Sequence, residues 1–393
     1  MMKSSYDVVV VGGGPSGSMS AKLAAEGGVS VCLLEKDRDI GYPVRCGEAI
    51  GDSGLRKFVE PKESWFAAHL NSFSMTAPNG TSITADFTSD KGYILNRRVF
   101  DYDLARLASE KGAEIFTRAY VYGLIIEDGF VRGVKLEYLG EKKEIRAKIV
   151  IGADGVESRV GRWAGIRTQL KMKDMESGFQ YTLANVNIPQ NRMDFFVGKT
   201  YAPGGYVWIF PKGDGIANVG IGVSGTYSKK KSPRKLLDKF VTEKFPEASI
   251  LTTVCGGIPC DKPLKKPVKS GLILVGDAGH QVNPVTGGGI SSGMTGGWIA
   301  GQVSADLIRK NKLDEKSLTV YTEWIHKEFG KNYSRVYNIK NAISQFTDED
   351  LNNIADKVKK LPREKRTLTR IFSTALIKKP LLVIDVIKVF AGI

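Results

Sequence analysis

Hydrophobic and polar positions change period several times along the chain. Val8-Val9-Val10-Val11 is an unbroken apolar run, the pattern of a strand buried on both faces. A glycine-rich turn, a helical pattern and a second apolar strand, Val29 to Leu34, follow it and predict a β-α-β unit over residues 5–40. The stretch from Ile94 to Ala113, apolar at Phe100, Leu104, Leu107 and Ala108, predicts a helix. Ala119 to Glu144 alternates and turns like a small β-meander, and Lys148 to Ala153 reads as another buried strand. Strand-like runs then dominate (Gly178 to Val186, Tyr206 to Phe210, Gly215 to Val223) before a basic helix from Pro233 to Phe245. The expected fold class is α/β (α+β overall). A Rossmann-type nucleotide domain spans 1–169 with 271–312, an antiparallel-sheet substrate domain 170–270, and a basic helical C-terminal region 313–393.

The turn after the first strand is Gly12-Gly13-Gly14-Pro15-Ser16-Gly17. Gly12 permits the tight turn, Gly14 lets backbone approach a pyrophosphate, and Gly17 permits close helix–strand packing. The diphosphate then sits at the positive end of the helix. Glu35 closes the second strand where a carboxylate accepts from a ribose hydroxyl. Two more segments select the nucleotide: Ile151-Gly152-Ala153-Asp154-Gly155 and Leu274-Val275-Gly276-Asp277-Ala278-Gly279. A nicotinamide dehydrogenase requires neither. With them the chain resembles the FAD-dependent oxidoreductases of the aromatic-hydroxylase structural group. That resemblance implies non-covalent FAD, with Asp277 on the flavin ribitol. It also implies a helix after Pro284-Val285-Thr286-Gly287-Gly288-Gly289-Ile290 whose positive end, with bare glycine N–H groups, favours anionic reduced flavin. The alternative for Asp277 is an ordinary turn aspartate.

Composition narrows the partners. The 393 residues are 42% hydrophobic and 25% charged, ordinary for a globular protein of two or three domains. A net charge of +15 favours a polyanionic partner. No nucleic-acid motif is present, so an anionic membrane surface is the better match. From Lys359 to Ile393 nine Lys and Arg face only Glu364 and Asp385, interleaved with Ile371, Phe372, Leu376 and Ile377 and the run Leu381 to Phe390. Such basic amphipathic segments read as membrane-surface helices or as helices docked on the protein's own core, and the two are compatible. With no secretory signal and no membrane-spanning run, the expected location is cytoplasmic, peripheral on the inner membrane face. Four cysteines exclude a four-cysteine iron–sulfur cluster beside the other roles, and no metal site is expected; Cys255 and Cys260 are either a redox pair or two unrelated thiols.

Two further segments, Tyr42-Pro43-Val44-Arg45-Cys46-Gly47-Glu48 and Pro203-Gly204-Gly205-Tyr206-Val207-Trp208-Ile209-Phe210-Pro211-Lys212-Gly213, closely resemble the geranylgeranyl reductase family, especially its archaeal digeranylgeranylglycerophospholipid reductases. The likeness runs from residue 5 to about 330. It implies FAD-dependent saturation of isolated C=C bonds in isoprenoid lipid chains. Lys36, Arg45, Cys46, Gly47 and Arg97 join the cofactor set by that resemblance, with Arg98 competing for the role of Arg97. Tyr206, Trp208 and Phe210 alternate on one strand and so face one side, an aromatic wall for a polyprenyl chain or ordinary sheet core. Cys46, with a basic neighbour expected to lower its pKa, is a candidate proton donor or pocket-shaping residue. Tyr206 and Trp208 are candidates to stabilise developing positive charge. Lys229, Lys230, Lys231, Arg234 and Lys235 suit a lipid phosphate, a membrane or plain solvent. The electron donor is open among NAD(P)H, a ferredoxin-type protein and a deazaflavin. The rival activities are a flavin mono-oxygenase and a non-catalytic prenyl-binding escort.

Overall fold

The computed structural model describes residues 2–87, 90–377 and 380–390; Lys378 and Lys379 of the basic C-terminal set lie outside them. Val8 and Val10 point to one side of their strand, Val9 and Val11 to the other, and all four are buried, which is why the run is unbroken. That strand, Ser5–Val11, is central in an eight-stranded sheet. It pairs in parallel with Val31–Leu34 on one side and with Glu141–Gly152 on the other, Ser5 opposite Arg146 and Val11 opposite Gly152. Glu114–Phe116 and Leu272–Leu274 extend the parallel order outward.

Two local expectations are corrected here. The meander and the strand from Lys148 are one element: Glu141–Gly152 pairs antiparallel with Phe130–Tyr138, then in parallel with Ser5–Val11. The helix expected from Ile94 runs instead over Arg97–Glu110. Ile94 and Leu95 belong to the strand Gly92–Leu95, where pairing with Ala49–Gly51 and Phe66–Leu70 buries them completely.

Helices cover one face of this sheet. Pro15–Glu26 lies against Ile290–Arg309 at very short range: a Cβ on Gly297 would stand 2.1 Å from Ser16 O, and one on Gly301 2.6 Å from Ser20 O. Glycine four residues apart on one helix thus makes a smooth seam for the other.

The second sheet runs Ser249–Pro259, Met175–Ala184, Ala217–Ser224, Tyr206–Pro211, Arg192–Val197, Ser72–Thr76, Ser82–Asp86. Its last two strands come from before residue 170, and Arg192–Val197 pairs in parallel with Ser72–Thr76, so the sheet is mixed and its membership wider than expected. Val207, Ile209, Val219 and Ile221 pack beneath the helix Pro233–Lys244. Tyr206, Trp208 and Phe210 face the opposite way.

The C-terminal helices are Glu315–Ile325, continued by a π turn into Lys331–Ile343, then Asp348–Lys359, Leu368–Ala375 and Pro380–Phe390. Arg363 clamps Asp86 with two bonds of 2.9 and 2.7 Å, tying this region to the last strand of the second sheet. No helix among the described residues is long and apolar enough to cross a membrane.

Candidate functional site

One cavity of about 1440 Å³ lies between the two sheets, and almost every residue singled out from the sequence lines it. At its polar end Gly12 has φ +107°, and a Cβ there would meet Ala153 O at 2.3 Å. Gly17 does not line the cavity; its own Cβ would meet Gly12 O at 1.9 Å, so it serves packing. The Cβ position of Gly14 is open space, and the helix it precedes has Pro15 at its start and no side-chain cap, leaving Ser16 and its neighbours to present N–H groups to the cavity. Glu35 accepts from Gly13 N at 2.8 Å and from Asp37 N at 2.9 Å, one bond per oxygen, which fixes the carboxylate while keeping acceptor capacity. Asp154 accepts from Val160 N through Oδ2 at 2.9 Å, and its buried Oδ1 has no partner. Lys36 and the exposed Arg45 stand at the rim.

Deeper in, Gly276 and Asp277 face the loop Pro284 to Ile290. Burial pushes the Asp277 carboxyl up to about 6, opposed by the positive charge of Arg97. The expectation that Gly287 and Gly288 leave their N–H groups free is corrected: Gly287 N donates to Asn283 O at 2.9 Å and Gly288 N to Thr286 Oγ1 at 3.2 Å. The helix from Ile290 has Gly289 before it and no side-chain cap, so its own first turn supplies the donors. The orphaned Asp154 oxygen, the open Gly14 cradle and two uncapped helix starts fit a dinucleotide with a diphosphate and a polyol linker, which is how FAD is built.

Arg97, not Arg98, lines this region. Its guanidinium grips Asp101 at 2.6 and 2.7 Å, whereas Arg98 lies on the surface over the Tyr42 ring. Cys46 stands beside Arg97, and its Sγ accepts from Glu48 N at 3.2 Å. The expectation of a lowered thiol pKa is corrected: Arg45 is exposed, and burial pushes the Cys46 thiol up more than Arg97 pulls it down. A neutral thiol at neutral pH follows. Cys255 and Cys260 are both free, the first exposed and the second buried.

Two residues without any expected role hold the Cys46 loop. Glu48, with φ +75°, accepts from Arg97 N at 3.1 Å, from Asn218 Nδ2 at 2.5 Å, and from Lys212 Nζ. Gln180 donates to Cys46 O at 3.0 Å and accepts from Trp208 Nε1 at 2.9 Å, coupling the aromatic strand to the loop. Gly47 must lack a side chain because a Cβ would approach the Phe210 ring to 2.8 Å. Glu48 was visible in its motif, but no sequence signal marks Gln180.

Tyr206, Trp208 and Phe210 form one aromatic surface of this cavity, with Phe195 edge-on to Tyr206 and Phe210 at 5.5 Å. The Tyr206 hydroxyl donates to Thr286 O, closing the sheet onto the glycine loop. Past them the cavity turns apolar, lined by Phe73, Met75 and Ile83 and then by Ile354, Ile371 and Phe372 of the C-terminal helices. That the C-terminal helices wall the cavity had no counterpart in the sequence reading. The basic residues Lys229–Lys231, Arg234 and Lys235 are exposed outside it, just beyond Tyr227 at its edge.

Residues 7–202 match the family model of FAD dependent oxidoreductases, and residues 174–258 that of the geranylgeranyl reductase catalytic domain. A protein of Methanocella arvoryzae named digeranylgeranylglycerophospholipid reductase is 43% identical over 389 residues, covering 98% of this chain and 99% of its own. Its counterpart of the same name in Methanosarcina acetivorans is 45% identical, over 93% and 92% of the two chains. Among solved structures, a geranylgeranyl bacteriochlorophyll reductase-like protein from Thermoplasma acidophilum superposes with a TM-score of 0.90 at 33% identity, covering 99% of each chain.

Proposed function

The chain belongs to the family of FAD-dependent digeranylgeranylglycerophospholipid reductases, and from that premise we propose that it saturates isolated C=C bonds in the geranylgeranyl chains of archaeal ether-lipid precursors. The observation that carries this reading is continuity: the glycine-lined cradle and the apolar chamber are one cavity. A diphosphate needs N–H donors and a positive helix end, and a polyprenyl chain needs apolar walls. The two ends supply these in turn, with Cys46, Tyr206 and Trp208 between them.

Gly12, Gly14, Ser16, Glu35, Asp154, Asp277 and the helix start at Ile290 would hold the FAD, and Asp101 fixes the guanidinium of Arg97 in the same cavity. When bound and reduced, FAD supplies the hydride. An isolated alkene has no carbonyl to polarise, so charge must be met by the walls of the chamber. Tyr206 and Trp208 present ring faces to positive charge growing on the more substituted carbon. Cys46, a neutral thiol fixed by Glu48 N, shapes the gap between these rings and the glycine loop. Phe210 and Phe195 carry the apolar surface onward toward the C-terminal helices.

The reading extends to the membrane. Leu381 and Ile377 are 80% and 70% exposed, Ile384 and Ile387 are exposed beside them, and Lys365, Arg370 and Lys388 share this surface. The helices bearing them also wall the apolar end of the cavity. Peripheral attachment through them sets the chamber next to lipid.

The test is anaerobic: FAD-loaded protein is reduced with dithionite, given digeranylgeranylglyceryl phosphate, and the lipid is read by mass spectrometry. Products heavier by two hydrogens per step, with flavin absorbance returning, are expected. Dithionite makes the outcome independent of the natural electron donor. Unaltered lipid beside fully reduced flavin rejects the reading.

A further inference from the structure

Glu176 lines the cavity with a buried carboxyl oxygen that no hydrogen bond meets among the described residues. It lies on the strand Met175–Ala184, with Ser224 and Ile258 opposite on the flanking strands. The residue is 8% exposed and lines the cavity, and its Oε2 has no hydrogen-bond partner. An unpaired buried carboxylate is costly unless it carries a proton.

The surroundings keep this carboxyl bare and close to the aromatic surface. A Cβ on Gly205 would stand 2.9 Å from Oε2, and one on Gly222 3.8 Å from it and 3.9 Å from the Trp208 ring. The titratable neighbours are otherwise engaged. Lys340, from the helix Lys331–Ile343, donates to Cys260 O at 2.7 Å and stands 3.6 Å from Asp174. The Tyr206 hydroxyl donates its hydrogen bond to Thr286 O. Cys260 is a buried thiol held neutral, and Asp277 and Cys46 lie farther along the same cavity.

We propose that Glu176, in its protonated form, delivers the proton of each double-bond reduction. This rests on the reductase reading above. The O–H bond of Glu176 breaks and a C–H bond forms on one alkene carbon; the hydride supplied by reduced FAD forms the C–H bond on the other. The π bond is lost, the lipid gains two electrons, the flavin gives up two, and water reprotonates the carboxylate.

Burial pushes the Glu176 carboxyl up to about 7, against the pull of Lys340. A general acid works best with a pKa near the operating pH, and the Cys46 thiol, raised above its ordinary value, is a weaker acid than that.

The experiment compares wild type with E176Q and E176D, each FAD-loaded. E176Q is expected to bind FAD and the oxidised enzyme's lipid within about threefold of wild type, while single-turnover flavin reoxidation slows on the order of 100-fold. E176D, which restores an acid, is expected to recover part of that rate. The wild-type rate falls as pH rises through about 7, and E176Q loses that limb.

A readout independent of turnover is the unfolding temperature against pH. Glu176 has its folded value raised from 4.5, so its contribution to stability is full below that value and lost as pH rises through about 7. E176Q is expected to lose this part of the decline. E176Q turning over within about threefold of wild type overturns the proposal, as does an unchanged pH dependence of unfolding or an E176D no faster than E176Q. A wild-type protein that leaves the lipid intact overturns the reductase reading itself, and the role of Glu176 with it.

Discussion

Glu48 takes a left-handed backbone conformation that a side chain seldom adopts, and three donors from two distant segments hold it there. Removing it leaves Lys212, itself largely buried, without its counter-charge. Glu48→Ala is expected to destabilise the fold by about 3–5 kcal/mol, read from denaturant unfolding. At this scale the glycines were legible and the polar supports were not. Gly12 and Gly17 declare themselves because a Cβ there would strike backbone, Gly14 because it completes the motif beside open space, and the spacing is local. Gln180 and Glu176 act through partners on other strands, so nothing near them in the chain marks them. The pKa of Cys46 was misjudged for the same reason: Arg45 is its neighbour in sequence, but burial and Arg97 are its neighbours in space.

Among the elements, the C-terminal helices have one side packed on the protein and one side exposed. Ile371 and Val386 are buried, Ile371 against the second sheet and Val386 against the helix Lys331–Ile343, while Ile377, Leu381, Ile384 and Ile387 face outward. A triple charge reversal at Lys365, Arg370 and Lys388 is expected to weaken binding to anionic vesicles. Each lost contact is worth about 1 kcal/mol, and the residual binding becomes less sensitive to salt. Vesicle sedimentation across salt concentrations measures it, and turnover on detergent-dispersed lipid should be preserved. Unchanged partitioning rejects membrane contact through these helices. Docking on the protein's own core was legible from the basic amphipathic pattern. The cavity wall was not, because it depends on Ala355 and Ile371 packing with Phe73 and Ile83 from the far end of the chain. The misplaced start of the helix at Arg97 has a similar origin: Ile94 and Leu95 fit either period, and strand partners at 49–51 and 66–70 decided.

For the whole molecule, the polar end of the cavity joins segments near 12, 35, 154, 277 and 290, so an FAD held there would bridge both chain halves. Stripping FAD is therefore expected to lower stability by mass action, about 4 kcal/mol at a thousandfold excess over Kd. Calorimetry with and without added FAD checks this; equal unfolding temperatures would reject it. The parallel strand Leu272–Leu274 joins the first sheet only after five of the second sheet's seven strands have been threaded between it and Glu141–Gly152. On the ribosome this imposes a delay. The phosphate-binding turn emerges early, but Asp277 and the helix at Ile290 follow some 250 residues later, roughly 13–50 s at ordinary synthesis rates. Through the second half of that interval, once residue 152 is made, one edge of Glu141–Gly152 stands uncovered, an open strand within reach of neighbouring nascent chains. Capture of the flavin thus waits on the last third of the polypeptide to emerge.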